Sequence, residues 1–304
     1  MFDELAVAHE GRTVFVTGYR SRRHYIDRLG RQFPEPTVAP TSLPRLHLLA
    51  LGAQIEPTAY ARLHSMLPSS RVAAKSSNTA PHGSRAASSY SRAIGMETQR
   101  RGAFVCLECI DEDVSERNYS WFKRAHHLVG VDWCWKHGSA LRWVDSPDPF
   151  DSLPHLWRNE GRTIQLQAVQ AKLPDGGIVR RYVDIAVALM TRARPASCAV
   201  LNSVIASQAR KTGHRIGING SLPLVSDALV DETDPLWWST FESMSYKRRG
   251  SFHHRIDIIP NSTIVAGVGE SYALLLALLY PSTAEALAVI SEIDSSCDAC
   301  TEPA

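Results

Sequence analysis

Residues 105–141 read VCLECIDEDVSERNYSWFKRAHHLVGVDWCWKHGSAL. Cys106 and Cys109 are separated by two residues, 24 residues follow, and Cys134 and His137 then repeat the two-residue gap. Such a gap lets one tight turn aim two ligands at a single point, and two such turns complete a tetrahedron of three thiolates and one imidazole. All four positions are then filled and no place remains for a reactive water, so the spacing predicts a structural zinc ion rather than a catalytic one. Between the two half-sites Ile110, Val114, Trp121, Ala125 and Leu128 recur at helical spacing, which predicts one helix beginning near Asp111. Asp111, Glu112 and Asp113 would then sit in its first turn and offset the helix dipole. His126 and His127 fall at its far end and are expected to be core or surface histidines rather than spare ligands.

Around this stretch lie 304 residues, 44% apolar and 21% charged, an ordinary balance for a globular chain of about two domains. The longest unbroken apolar run, Tyr272 to Tyr280, is about half of what a membrane-spanning helix needs. Met1-Phe2-Asp3-Glu4 lacks the basic-then-apolar order of a signal peptide. A reducing cytoplasm is therefore expected, where paired cysteines hold metal or act in redox more often than they form disulfides. Cys297 and Cys300 form a further half-site, but in a tail that from Pro281 onward carries five acids and no Lys or Arg. A frayed acidic end is the expectation there.

Helical signals dominate the remainder. Pro57 suits a first helical turn, with Tyr60, Leu63 and Leu67 following at helical spacing. A stripe from Ile178 to Leu189 follows Asp175-Gly176-Gly177, Ser197 can cap a helix that stops near Gly213, and Asp234-Pro235 opens another carrying Trp237, Trp238, Phe241 and Met244. Ser282 and Glu285 have capping-box spacing. Arg12–Thr17 and Arg255–Ile259 are the short strand candidates. The connection from Gly213 to Pro223 is longer than a helix-turn-helix allows. Residues 68–93 hold eight serines and few large apolar side chains, so this stretch is expected to be a linker outside the core. The sequence thus predicts a mainly α, multi-domain protein with a small embedded Cys3His zinc-finger subdomain. Its parts are a basic helical region at 1–67, the linker at 68–95, the zinc subdomain at 96–145, and a helical domain with an acidic tail at 146–304.

Net charge is only +2, but residues 1–100 carry 13 Lys and Arg against 7 Asp and Glu. That excess permits one face to meet an anionic polymer. Arg20, Arg22, Arg23, Arg28 and Arg31 supply it near the N-terminus. Lys247, Arg248, Arg249 and Arg255 form a second cluster, interleaved with Tyr246, Phe252, His253 and His254, where phosphates would release counterions; a solvated loop is the alternative. Lys123 and Arg124 add two basic residues within the metal motif. The candidate DNA-binding residues are Arg20, Arg22, Arg23, Lys123, Arg124, Lys247, Arg248, Arg249 and Arg255. No His-Glu-x-x-His, phosphate-loop or Gly-x-Ser-x-Gly pattern occurs, so nothing in the sequence argues for an enzyme.

The run Val105–Leu141 resembles the zinc-binding core of the TniQ family, related to TnsD. Cys106, Cys109, Cys134 and His137 match its metal ligands, and Arg124 with His126 matches its Arg-x-His element. Leu107 and Trp135 stand where the family usually has proline. Tyr60–Pro68 is similar to the helix end before the family's linker. The resemblance implies a non-catalytic, nucleoid-associated bacterial DNA-binding adaptor that selects a transposon's target site, directly or through a CRISPR effector, and recruits an AAA+ ATPase; a homodimer is compatible with that role. The alternatives are a zinc-containing transcription regulator and, more distantly, a nuclease using Asp111 or Asp113.

Overall fold

The computed structural model describes residues 3–33, 44–84, 94–166 and 169–298. They are mainly helical, with five short strands in two small sheets. Two compact units emerge, one of residues 1–68 and 81–173, the other of 69–80 and 174–304. These boundaries differ from the expected ones in two ways. Residues 146–173 belong with the metal motif, and part of the serine-rich stretch belongs with the C-terminal helices.

In the first unit, helices α1 (Ala6–Thr17), α2 (Arg22–Gln32), α3 (Arg45–Gly52) and α4 (Pro57–His64) enclose Tyr25, Leu29, Leu46, Leu49, Tyr60 and Leu67, and the single turn α5 (Leu67–Ser70) follows α4 in the chain. The strand expected over Arg12–Thr17 is instead the end of α1. Its β-branched run is accommodated because Thr13 and Thr17 donate their hydroxyls to the carbonyls of His9 and Thr13, one turn back. Small residues let α1 lie flat on its neighbour. A Cβ added at Gly11 would stand 1.8 Å from the Phe150 carbonyl oxygen.

The metal motif follows in the same unit. A three-stranded antiparallel sheet, β2 (Phe104–Val105), β3 (Arg142–Val144) and β4 (Thr163–Gln165), pairs Phe104 with Trp143 and Trp143 with Ile164. The helix of the motif is α6 (Leu107–Arg117), shorter and earlier than expected, and it packs with the short α7 (Pro154–Asn159). It stops where Asn118 turns left-handed, at φ 63°, and its N–H caps the Val114 carbonyl. Trp121, Ala125 and Leu128 are buried as their apolar character requires. They lie on irregular chain and a 3-10 turn at Arg124–His127 rather than on a continued helix.

In the second unit the serine-rich stretch is corrected in part. Val72, Ala73 and Ala74 are buried, and β1 (Ala73–Ala74) runs parallel to β5 (Ala196–Ser197). Alanine is small enough to enter a tight two-strand contact, so a shortage of large apolar residues does not keep this stretch out of the core. Residues 85–93 of that stretch lie outside the described residues. Helices α8 (Gly177–Leu189) and α9 (Cys198–Lys211) pack with α13 (Gly269–Leu279), whose Tyr272–Ala277 segment is wholly buried. The long apolar run is therefore a core helix, and among the described residues no helix is long and apolar enough to cross a membrane. Residues 212–224 separate α9 from α10 (Val225–Glu232). Asp234 caps α11 (Pro235–Ser239) by accepting the Leu236 N–H at 2.7 Å.

Two further expectations change. Arg255–Ile259 is a turn leading into the short helix α12 (Ile258–Asn261), because Asp257 is drawn inward as a hydrogen-bond acceptor. The C-terminal stretch forms α14 (Thr283–Asp298), capped by Ser282 and anchored by buried Ala286, Ile290 and Ile293. Cys300 lies outside the described residues.

Candidate metal centre

Each half-site is positioned by its own local structure. The strand β2 delivers Cys106 as the residue preceding α6, and the first turn of α6 carries Cys109 back beside it. On the other side the Gly138 N–H bonds to the Cys134 carbonyl at 2.7 Å, closing the turn that presents His137. Gly138 has φ +65°, a conformation that a side chain would strain. A second bond, Cys134 N–H to the Ser139 carbonyl at 2.8 Å, fixes the turn's base.

The four expected ligands come together. Their donor atoms all lie within 4.8 Å of one another, with the three cysteines buried and His137 half-buried, and the group can hold a metal ion. His137 Nδ1 faces all three sulfurs, at 3.4 Å from Cys106, 3.5 Å from Cys109 and 3.5 Å from Cys134; the Cys109 and Cys134 sulfurs are 3.6 Å apart. Phe104, Leu141 and the partly buried Trp143 and Leu166 pack against the cysteines.

The close approach of the three thiols couples their ionisation. Hydrogen bonds from the Cys109 and Cys134 thiols hold Cys106 far below the ordinary thiol range. The same contact with Cys106 pushes Cys109 far up and Cys134 up to about 11. A cation at the centre would favour the thiolate form of all three.

His137 is oriented by a residue whose place in the sequence suggests a different role. Its Nε2–H donates to Glu112 Oε1 at 2.9 Å, leaving Nδ1 with a free lone pair toward the sulfurs. Glu112 also accepts from Lys136, and these two bonds, Lys136 first, hold its carboxyl below the ordinary range. Because α6 begins at Leu107, the three acids fall in its second turn rather than its first. Asp111 pairs with Arg158, and Asp113 with Lys123 at 2.7 Å. They tie the helix to surrounding chain, which replaces the dipole account.

The candidate DNA-binding residues divide sharply. Arg20 and Arg23 are exposed on and before α2, joined by Arg28 and Arg31. Arg22 instead donates to Asp151 and the Val7 carbonyl. Lys123 is 16% exposed and held by Asp113, over the Trp121 ring. Arg124 is buried, donating to Asp3 at 3.0 Å and to the carbonyls of Arg62 and Ser65 at 2.6 and 2.9 Å. Lys247 is 1% exposed, locked to Asp227. Lys123, Arg124 and Lys247 are thus internal struts, a correction that sequence could not supply because their carboxylate and carbonyl partners are distant in the chain or across a turn. Arg248, Arg249 and Arg255 are exposed.

His126 and His127 are core residues. Burial pushes both rings down to about 3, and His127 accepts the Phe104 N–H with Nε2. Neither a family model nor a curated protein matches the chain.

Proposed function

We propose that the protein is a non-catalytic DNA-binding adaptor of the TniQ type, which marks a transposon's target site and recruits an AAA+ ATPase, with zinc as the structural ion. The observation that carries the reading is the Cys3His group closed by Glu112. Its spacing is that of the family's core, and its Arg-x-His element has a concrete structural use, since Arg124 joins the motif to the carbonyls of Arg62 and Ser65.

Zinc is favoured by donor chemistry and by size. Three thiolates and one imidazole are the soft and borderline set it prefers. A tetrahedral ion with bonds of about 2.3 Å to sulfur and about 2.0 Å to nitrogen needs sulfur–nitrogen edges of about 3.5 Å and sulfur–sulfur edges of about 3.8 Å. The distances of 3.4, 3.5 and 3.5 Å to His137 and 3.6 Å between Cys109 and Cys134 fit that polyhedron. When bound, the ion supplies a cross-link between α6 and the 134–138 turn.

DNA contact is assigned to the exposed side of α2. Arg23, Arg28 and Arg31 are exposed on α2 over about 12 Å of its length, with Arg20 exposed just before it, while Tyr25 and Leu29 are buried. Asp27 stands 4.0 Å from Arg23. A row of cations on a helix neutralises successive phosphates and gains counterion entropy. The test combines a gel-shift assay on duplex DNA at low salt with a pull-down against a transposon AAA+ ATPase. Retardation and capture are expected; failure of both refutes the adaptor.

A further inference from the structure

The second basic cluster does not read as an ordinary solvated loop. Two buried aspartates clasp residues 246–255 onto α10. Asp227 accepts the Gly250 N–H at 2.9 Å, the Leu224 N–H at 3.4 Å and the Lys247 ammonium. Asp257 accepts the His253 N–H at 2.7 Å, the Ser226 N–H at 3.1 Å and the Ser226 hydroxyl at 2.6 Å. Arg215 adds a bond from Nη2 to the Gly250 carbonyl at 3.3 Å. Lys247 and Asp227 are 1% and 7% exposed, so the clasp sits in a poorly solvated environment where charge-assisted hydrogen bonds hold firmly.

What the clasped loop presents is unusual. Tyr246 is 91% exposed, and its hydroxyl has no partner among the described residues. Arg248, Arg249, His254 and Arg255 are exposed beside it in sequence. Arg249 meets Asp231 at 2.9 Å, but both side chains are largely solvated, and such a pair exchanges readily for a phosphate. A fully exposed aromatic ring on a rigidly held, cationic loop is the combination that grips unpaired nucleic acid. Phosphates meet the guanidinium groups, and a base stacks on the ring. In a duplex both faces of each base are covered by its neighbours, so the ring has nothing to stack on.

We infer that the 246–255 loop is a site for single-stranded nucleic acid, in which Tyr246 stacks on a base while Arg248 and Arg255 hold the flanking phosphates. The preformed loop has little conformational freedom left to lose on binding. Such a site depends neither on the adaptor role nor on the metal centre.

Fluorescence anisotropy on the full chain tests it, with a labelled oligothymidylate and an oligouridylate of about 12 nucleotides and a duplex of matched length. Wild-type protein is expected to bind at least one single strand. Tyr246→Ala should weaken that binding by about 5- to 100-fold and leave duplex binding unchanged. Tyr246→Phe, which keeps the ring, should stay within about twofold of wild type. Arg248→Ala with Arg255→Ala should reduce the salt slope for single strands by about 1.4. Tighter binding of either the DNA or the RNA strand supports the site and names its source. No single-strand binding, an Ala variant that binds as well as wild type, or equal losses for single strand and duplex would overturn it. The binding of an acidic protein face in place of either strand belongs with those contrary results.

Discussion

Glu112 shows what one carboxylate adds beside the four candidate ligands. Those four are legible in the sequence because two-residue gaps are a local pattern. The Glu112–His137 hydrogen bond spans 25 positions and depends on where α6 starts, which no spacing rule reveals. With the Nε2–H held by Glu112, the ring's tautomer and aim are fixed. Glu112→Ala is therefore expected to lower zinc affinity by about 10- to 100-fold without unfolding the protein, measured by competition with a chromophoric chelator. Arg124 provides the converse case. It reads as a basic DNA contact but is a buried strut, so Arg124→Ala should cost about 3 kcal/mol in denaturant unfolding while the salt dependence of DNA binding stays put. A fall in the salt slope with unchanged stability would place Arg124 at the DNA instead.

At the level of elements, the periodic stretches are legible in the sequence and the interrupted ones are not. The helices at Gly177, after Ser197 and after Asp234 begin where the sequence places them, but Ser197 makes no side-chain cap bond to its helix, and the helix opened by Asp234-Pro235 ends at Ser239, before Phe241 and Met244. The apolar series from Ile110 to Leu128 keeps helical spacing across a break at Asn118, because burial demands alone place those side chains inward. Arg12–Thr17 has strand composition, yet hydroxyl-to-carbonyl bonds and the close approach at Gly11 make it helical. The exposed arginines on α2 and just before it give a comparison between variants. Arg20→Ala, Arg28→Ala and Arg31→Ala combined should flatten the log–log salt slope for duplex DNA by about 2.7, at about 0.9 for each phosphate no longer neutralised, with little change in melting temperature. A slope that does not move would remove α2 from the interface.

Over the whole molecule, two units emerge where the sequence suggests a linker between domains, since the chain enters the second unit at 69–80 and returns to the first at 81. Tertiary pairing of Ala73-Ala74 with Ala196-Ser197 decides this, and no local signal encodes a partner so far along the chain. Buried histidines give the first unit a definite acid response. Burial, aided by the Arg12 charge at His9, pushes the His9 and His64 rings down to about 4 from an ordinary value of 6.5. Above about pH 6.5 both are neutral folded or unfolded. Between 6.5 and about 4 the unfolded chain takes up protons that the folded chain refuses. Stability should therefore be lost as pH falls through that window, by up to about 1.4 kcal/mol per pH unit for each histidine, as urea unfolding at stepped pH would show. A flat profile would mean that these rings are open to solvent.

Metal analysis of the native protein by plasma mass spectrometry, joined to X-ray absorption at the zinc edge, decides whether the scaffold is built on a metal. One zinc per chain is predicted, with three sulfur neighbours at about 2.3 Å and one nitrogen at about 2.0 Å, lost in Cys109→Ser. Protein that is folded and metal-free, or a zinc shell containing oxygen ligands in place of the sulfurs, would contradict it.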